Sequence, residues 1–499
     1  MKRGCRLGLV LALLLLVPWT TNAAAPKQLV ISQPTDAITL DPHMHSASET
    51  FTILQNVYDT LLFYTEQGPV PSLATAWKQL DPVTWRFTLR KGVTFHNGES
   101  FTARAVKFSF DRLVDPNQKS PMGTRLTALK EVRIVDESTV DIVTKEPYAV
   151  LPYIVSQFLS VVPPDTVKQM GDAKFARAGV GTGPYQVVKW TKDQELLLEA
   201  NPKYWKGAPR IQRVIFRPIP EDSARIAALQ TGESDIIASV PPARWKDLQQ
   251  DKATRVSPGT GTMVYMGLDT FHPPFNDVRV RQALNHAIDV DTIISKLLLG
   301  AADRMNGPFF KSTLGYDKSI PAYRYDPVLA KKLLAEAGYP NGFDTVLATQ
   351  PAPEGMANLL EVAETVAFQL GQIGVKVKID ILEPATAYAH YQAKEFKMYF
   401  FTWPEAPEPD RYLYSLFHSQ ARGFYYKNVE VDKLLDQGRR TFNLDERRKV
   451  YAALHRLLVQ DAPWVFLYSQ KTGWGVRHDV KWEAPWDNFV RAIEADVSR

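Results

Sequence analysis

Cysteine is nearly absent. The one thiol, Cys5, lies ahead of the first apolar run of the 499-residue chain. Behind that run there is no disulfide framework, no thiolate nucleophile and no cysteine metal ligand. Cys5 cannot carry a lipid anchor either, because a lipoprotein cysteine follows the apolar segment. Also missing are a Gly-x-Ser-x-Gly turn, a His-Glu-x-x-His zinc pair and a Gly-x-x-x-x-Gly-Lys phosphate loop. No later segment approaches the roughly 20 apolar residues of a membrane span. No repeat and no low-complexity linker interrupts the chain.

A strong charge of either sign is lacking as well. The first 23 residues, MKRGCRLGLVLALLLLVPWTTNA, contain Lys2, Arg3 and Arg6, then the apolar stretch Leu7 to Val17, then small residues with Thr21 and Ala23 before a cleavage point. This reads as a cleavable signal peptide of an exported protein that is not a lipoprotein. Its removal leaves 56 basic residues against 54 acidic ones, a net charge of +2. Near-neutrality argues against nucleic acid or an anionic membrane surface as main partner.

What is present is a globular composition, 45% hydrophobic and 23% charged, at a length that predicts two or three lobes. Strand and helix signals alternate, so the class is α/β or α+β. A strand is expected at Trp85 to Leu89, an Asn97-Gly98 turn, and a helix capped by Thr102 that carries Val106, Phe108 and Leu113. VIFRPIPEDSARIAALQTGESDIIASV reads as strand, helix capped near Asp222 or Ser223, stop at Gly232, and strand. RVRQALNHAIDVDTIISKLLLG reads as one helix from Arg279 to Gly300. In YDPVLAKKLLAEAGYP, Asp326 caps, Pro327 takes the first helical position and Gly338 ends the helix. ETVAFQLGQIGVKVKIDIL passes from helix to strand near Gly374, and LDERRKVYAALHRLLVQDAPWVFLY does so at Pro463.

Four features invite a chemical reading. His43 and His45 form a His-x-His pair in LDPHMHSASET, which suits either a shared metal or two polar loop residues; no carboxylate pattern nearby completes a metal site. His96 beside Asn97-Gly98 reads as turn chemistry, and His286 and His455 as packing or surface residues of helices. MYFFTWPEAPEPDRYLYSLFHS, residues 398 to 419, ends an apolar strand in Trp403 and continues with three prolines and three acids. Such a stiff acidic loop beside Trp403 and Tyr412 either holds a cation against an aromatic wall or bridges two lobes in solvent. Finally, GVGTGPYQVVKW places Gly179, Gly181 and Gly183 ahead of Pro184. A phosphate cradle needs a helix directly after its glycines. Here a strand follows, so the glycines serve a tight backbone path.

GTGPYQVVKWTKDQELLLEANPKYWKGAPRIQRVIFRPIPEDSARIAALQTGESDI resembles the signature region of family 5 of the extracytoplasmic solute-binding proteins, the peptide- and nickel-binding components of ABC importers. YDTLLFYTEQGPVPSLATAWKQLDPVTWRFTLRKGVTFHNGESFTARAVKFSFDR, FNDVRVRQALNHAIDVDTII, YDPVLAKKLLAEAGYPNGF and WPEAPEPD appear in the family's order, so the resemblance covers the whole mature chain. It implies an α/β Venus flytrap of periplasmic-binding-protein type with an additional inserted α+β domain. The first lobe then comprises 24–57, 177–262 and 471–499, the inserted domain 58–176 and the second lobe 263–470, with the glycine run where the chain returns to the first lobe.

The resemblance also implies a function: capture of a solute between the lobes in the periplasm and delivery to ABC permease subunits by a monomer, with no cofactor and no catalysis. In the family's peptide binders an aspartate of the tryptophan-containing loop pairs with the peptide amine. Here Glu405 falls nearest that position, Asp410 matches the following Pro-Asp, and Trp403 and Tyr412 flank them. His45 to Thr50, with Ser46 and Ser48, aligns with a second ligand-facing segment. The expected solute is a peptide or similar amine-bearing compound; a metal chelate or opine-like compound reached by His43 or His45 is the alternative. A secreted hydrolase has no paired nucleophile and base to rest on.

Overall fold

Two long antiparallel strands, Thr254–Leu268 and Trp464–Arg477, run through the middle of this computed structural model and pair twice. The structure describes residues 26–352, 356–357, 359–421 and 425–498; the signal-peptide reading of residues 1–23 lies outside them. Thr254 to Pro258 pair with Gly473 to Arg477. After an irregularity between Pro258 and Gly261, the pairing resumes from Gly261 opposite Lys471 to Gly267 opposite Trp464.

The sheet divides at that irregularity. On one side it continues through Ile236–Ile237, Gln28–Gln33, Arg213–Pro218, Glu195–Ala200 and Tyr185–Thr191. On the other it continues through Met398–Pro404, Phe343–Thr349 and Val375–Ile381. Each side contains parallel strands joined through a crossover helix: Asp222–Thr231 between Arg213–Pro218 and Ile236–Ile237, and Leu359–Gly371 between Phe343–Thr349 and Val375–Ile381. Gly232, at φ 84°, caps the end of the first helix, and Gly374, at φ 91°, lies in the turn three residues beyond the end of the second. The fold is thus a two-lobed α/β body, and the two long strands cross from one lobe to the other.

Three regions of hydrophobic core accompany this layout. One draws on Leu29 to Tyr58, Val162 to Ala238 and Trp474 to Val497. A second lies wholly within Leu61 to Val161, under the antiparallel sheet Ala74–Asp81, Thr84–Leu89, Thr139–Thr144 and Leu129–Asp136. The third fills both faces of the second-lobe sheet between Met263 and Tyr468. Separate cores let each part hold its shape while the parts move.

The glycine run sits where the middle part joins the first lobe. A side chain at Gly181 or Gly183 would collide with the backbone carbonyl of Val57, which accepts a hydrogen bond from the Gly183 N–H at 2.9 Å. The outgoing and returning chains therefore touch. His96, read from sequence as turn chemistry, fastens this junction: its Nε2 donates to the Gly183 carbonyl at 3.0 Å, and its Nδ1 accepts from the Gly181 N–H at 3.3 Å.

The predicted helix from Arg279 to Gly300 is corrected. Asp277 caps Val278–Ala287, the chain turns extended at Ile288, and Asp289 caps a new short helix by accepting from the Thr292 N–H at 3.0 Å. A π-helical turn, Ile293–Leu297, follows. Asp289 competes for a backbone donor inside an apolar-periodic stretch, and that local bond wins over continuation. The cap of Asp222–Thr231 falls on Glu221, without a side-chain bond. Asp326 behaves as expected, accepting from the Leu329 N–H at 2.9 Å.

Candidate solute-binding site

Between the lobes, against the irregularity in the crossing strands, lies a cleft of about 380 Å³. This falls within the usual range for small-molecule sites. Each part of the chain supplies a wall. Ser46, Ser48 and Glu49 come from the first lobe, Thr260, Thr262 and Lys471 from the crossing strands, Thr402, Pro404, Glu405 and Arg411 from the second lobe, and Arg125 from the middle part.

The position of each second-lobe residue follows from strand and helix geometry. Along Met398–Pro404 side chains alternate between faces. Thr402 and Pro404 reach the cleft, so Trp403 lies on the opposite face, paired in register with the buried Met263. Its ring centroid is 6.3 Å from that of Tyr412 and it packs into the second-lobe core. Tyr412 is fully buried, its hydroxyl 3.1 Å from that of Thr313, and burial raises its pKa. The aromatic wall expected of Trp403 and Tyr412 is therefore core packing.

Asp410 and Arg411 are neighbours in the first turn of Asp410–Phe417, about 100° apart around the helix. Asp410 turns inward to a paired hydrogen bond with Arg439, 2.6 Å from Nε, and lies 3.4 Å from the Tyr148 hydroxyl. It lines no part of the cleft. Arg411 turns toward the cleft. Its Nε is buried without a hydrogen-bond partner, and among the described residues no carboxylate pairs with it. It lies beside Tyr153, whose pKa burial raises and Arg411 counteracts. Sequence reading passed over Arg411; the signal available was its place directly after the Pro-Asp.

Glu405 does line the cleft. Its carboxylate accepts from the Gly261 N–H at 3.0 Å and from the Ser312 hydroxyl at 2.5 Å. Among the described residues no cation pairs with it, which leaves a half-buried negative charge beside the bend of the sheet. By contrast Asp487 is spoken for by Arg491 at 2.7 Å, and Lys471 approaches Asp303 at 3.6 Å.

The early segment divides as sharply. Ser46 and Ser48 are exposed in the cleft, while Thr50 is buried within Ser48–Leu54, where its hydroxyl accepts from the Ile38 N–H at 3.1 Å. His45 is buried and lines a second, smaller cavity. His43, read as available to a chelate, is sealed off. Its Nε2 donates to the Ser160 carbonyl at 2.9 Å, and its Nδ1 accepts from Arg112 at 3.0 Å. Burial lowers its pKa to about 4, with Asp41 opposing and Arg112 assisting. Among the described residues no group of three histidine, cysteine or acidic side chains could hold a metal ion.

The profile of the bacterial extracellular solute-binding proteins, family 5 (middle region), matches residues 68–424. Over 464 residues the chain is 29% identical to the glutathione-binding protein GsiB of Pectobacterium atrosepticum, covering 90% of this chain and 89% of that one. Among solved structures it is similar to HbpA2 from Haemophilus parasuis, with TM-score 0.86 at 27% identity, covering 94% of this chain and 99% of the other. It is also similar to the ABC transporter-associated periplasmic binding protein DppA from Helicobacter pylori in complex with the peptide STSA, with TM-score 0.79 at 28% identity over 95% and 99% of the two chains. With its two lobes, its cleft and this match over most of its length, the chain belongs to the bacterial extracellular solute-binding proteins of family 5.

Proposed function

We propose that the protein is the periplasmic receptor of an ABC importer and takes a short zwitterionic peptide, or a similar amine- and carboxylate-bearing solute, in the interlobe cleft. The observation that carries this reading is a pair of opposite charges on its second-lobe wall, Glu405 and Arg411, which no counter-charge among the described residues compensates. A partly desolvated charge without a counter-charge is costly, and a solute that brings the missing ammonium and carboxylate reduces that cost at both ends. The ligands of two relatives, glutathione for GsiB and the peptide STSA for DppA, have this chemistry.

Transport follows from bending. The first lobe is taken as 24–57, 177–262 and 471–499, the inserted domain as 58–176 and the second lobe as 263–470. A solute that touches all three binds the closed arrangement better and shifts the population toward it by no more than that difference in affinity. A permease that recognises the closed form reads occupancy. Bond-making plays no part, and the protein acts as a monomer exported by a signal peptide at residues 1–23. Among the described residues no helix is long and apolar enough to cross a membrane.

The test is mass spectrometry of whatever solute survives gentle purification, followed by calorimetry of refolded, solute-free protein with a peptide panel. Stoichiometric binding of intact peptides with free termini is expected, and acetylation of the amine or amidation of the carboxylate should weaken it. Release of cleaved product, or retention of a solute lacking both groups, overturns the reading.

A further inference from the structure

Behind the cleft wall, between the first lobe and the middle part, lies a smaller cavity of about 120 Å³. Phe51, Gln157 and Asp487 line both spaces, so the two are neighbours across a thin partition. His45 stands in the smaller one. It is 2% exposed, and its ring meets Phe51 edge-on with centroids 4.5 Å apart. Among the described residues neither ring nitrogen has a hydrogen-bond partner in good geometry, although the Ala47 backbone lies close. A buried imidazole with both nitrogens unsatisfied is costly, so such a residue is expected to meet a guest.

Apart from Lys206, the charged groups around this cavity are already engaged. Asp59 accepts from the Thr182 hydroxyl at 2.9 Å and from Tyr204 and Trp205 at 3.0 Å each. Arg491 binds Gln55, Asp487 and Glu494. Lys206 is exposed at the outer rim, its ammonium 4.7 Å from the Trp205 ring centroid. From the first lobe Lys206 and Arg491 offset Asp487 and Glu494, and the Asp59 carboxylate is already filled by three neutral donors, so a charged guest would lose its hydration without meeting a free counter-charge beyond the rim.

We propose that this cavity is a side chamber of the cleft that receives one short uncharged arm of the solute, ending in a carboxamide or hydroxyl, and that His45 is the residue that selects it. The proposal rests on the peptide reading above. A neutral imidazole offers one donor and one acceptor, which a carboxamide or hydroxyl answers with one of each. At roughly 30 Å³ per water-sized unit the chamber has room for about four such units, enough for the side chain of asparagine, serine or threonine. The arm passes between Phe51 and Gln157, which border both spaces. His45 is neutral across the physiological range, because burial lowers its pKa to about 4.

Refolded, solute-free protein titrated calorimetrically with tri-alanine peptides decides the matter, each position in turn replaced by Asn or by its isostere Leu. At one position Asn should bind about tenfold more tightly than Leu, the size expected for one or two buried hydrogen bonds. In His45→Phe that ratio should fall to within twofold. Ser160→Val keeps His45 but narrows the chamber, and should weaken the Asn peptide more than tri-alanine; it decides the question if His45→Phe does not fold. A ratio near one at every position in the wild type, or one that survives both variants, overturns the side chamber and leaves water as its only guest. If no peptide of the panel binds the wild type at all, the peptide reading fails, and the proposal with it.

Discussion

Glu405 and Gly261 hold each other twice: the Glu405 carboxylate accepts from the Gly261 N–H at 3.0 Å, and the Glu405 N–H donates to the Gly261 carbonyl, also at 3.0 Å. Gly261 is the first residue of the crossing strand beyond the irregularity, so a charge in the cleft is tied directly to the place where the sheet can bend. A solute ammonium that draws on Glu405 therefore acts on the hinge as well as on the wall.

A Cβ at Gly261 would overlap the Ser469 hydroxyl. Gly261→Ala should weaken solute binding about tenfold or more by straining the paired strands. Gly261→Ala combined with Ser469→Gly should recover most of the loss. Calorimetry on the single and double variants checks this, and failure of the second change to rescue would place the effect elsewhere.

Arg411 and Trp403 should separate binding from stability. Arg411→Met removes a cleft charge and is expected to weaken a carboxylate-bearing solute by 10-fold or more, with little loss of melting temperature. Trp403→Ala opens the second-lobe core and should cost about 2–3 kcal/mol of stability. Its folded fraction should bind within about threefold of wild type. The reverse pattern would return Trp403 to the cleft.

Asp410 joins the second lobe to the middle part through Arg439 and Tyr148, next to the hydrogen bond from the Ala149 N–H to the Arg439 carbonyl at 2.7 Å. Asp410→Asn should weaken all solutes by a similar factor, because it loosens the closed arrangement and leaves the ligand contacts in place. A variant that changed the ranking of solutes in a titration panel would contradict that assignment.

Acid should destabilise the protein before its carboxylates titrate. Burial lowers the pKa of His43, His45 and His455 to about 4 from an ordinary 6.5. Between those two values the unfolded chain binds protons that the folded chain refuses, so stability is full above about pH 6.5 and falls as the pH drops toward 4. Asp41 extends the loss further down. Burial alone would raise its carboxyl, but Arg112 and His43 hold it below its ordinary value, so its contribution disappears only as the pH falls through the carboxylate range. Urea unfolding at pH 7, 6, 5 and 4.5 should show uptake of up to about three protons, reduced by about one in His45→Phe.

The buried pair Arg112–Asp41, at 2.6 Å, pins the middle part to the first lobe, with Asp172 at 2.8 Å on the same guanidinium. Arg112→Met should cost about 3–5 kcal/mol, because it strands Asp41 in the interior. Asp172, more than half exposed, should matter far less, and Asp172→Asn is the control in thermal unfolding.

Much of the architecture was legible in local chemistry. Asp326 with Pro327, Gly232, Gly374 and the strand after Pro184 each announce an element boundary through bonds made within a few residues, so the order of helices and strands could be read along the chain. Where two local rules competed, as at Asp289, the pattern of apolar residues misled. The absence of thiols and of catalytic motifs likewise belongs to the sequence alone.

The cleft was only half legible. Glu405, Ser46 and Ser48 face it, but a shift of one residue on a strand or helix reverses a side chain's surroundings, and sequence carries no mark of which face a lobe will cover. Trp403 and Tyr412 went to the core, Asp410 to Arg439, and Arg411, marked only by its place directly after the Pro-Asp, went to the solute side. The sequence determined the elements, the lobes' separate apolar cores and the family. Tertiary structure alone decided which charges are neutralised by partners tens or hundreds of residues away and which are left for a solute, because burial and charge pairing depend on contacts that no local spacing encodes.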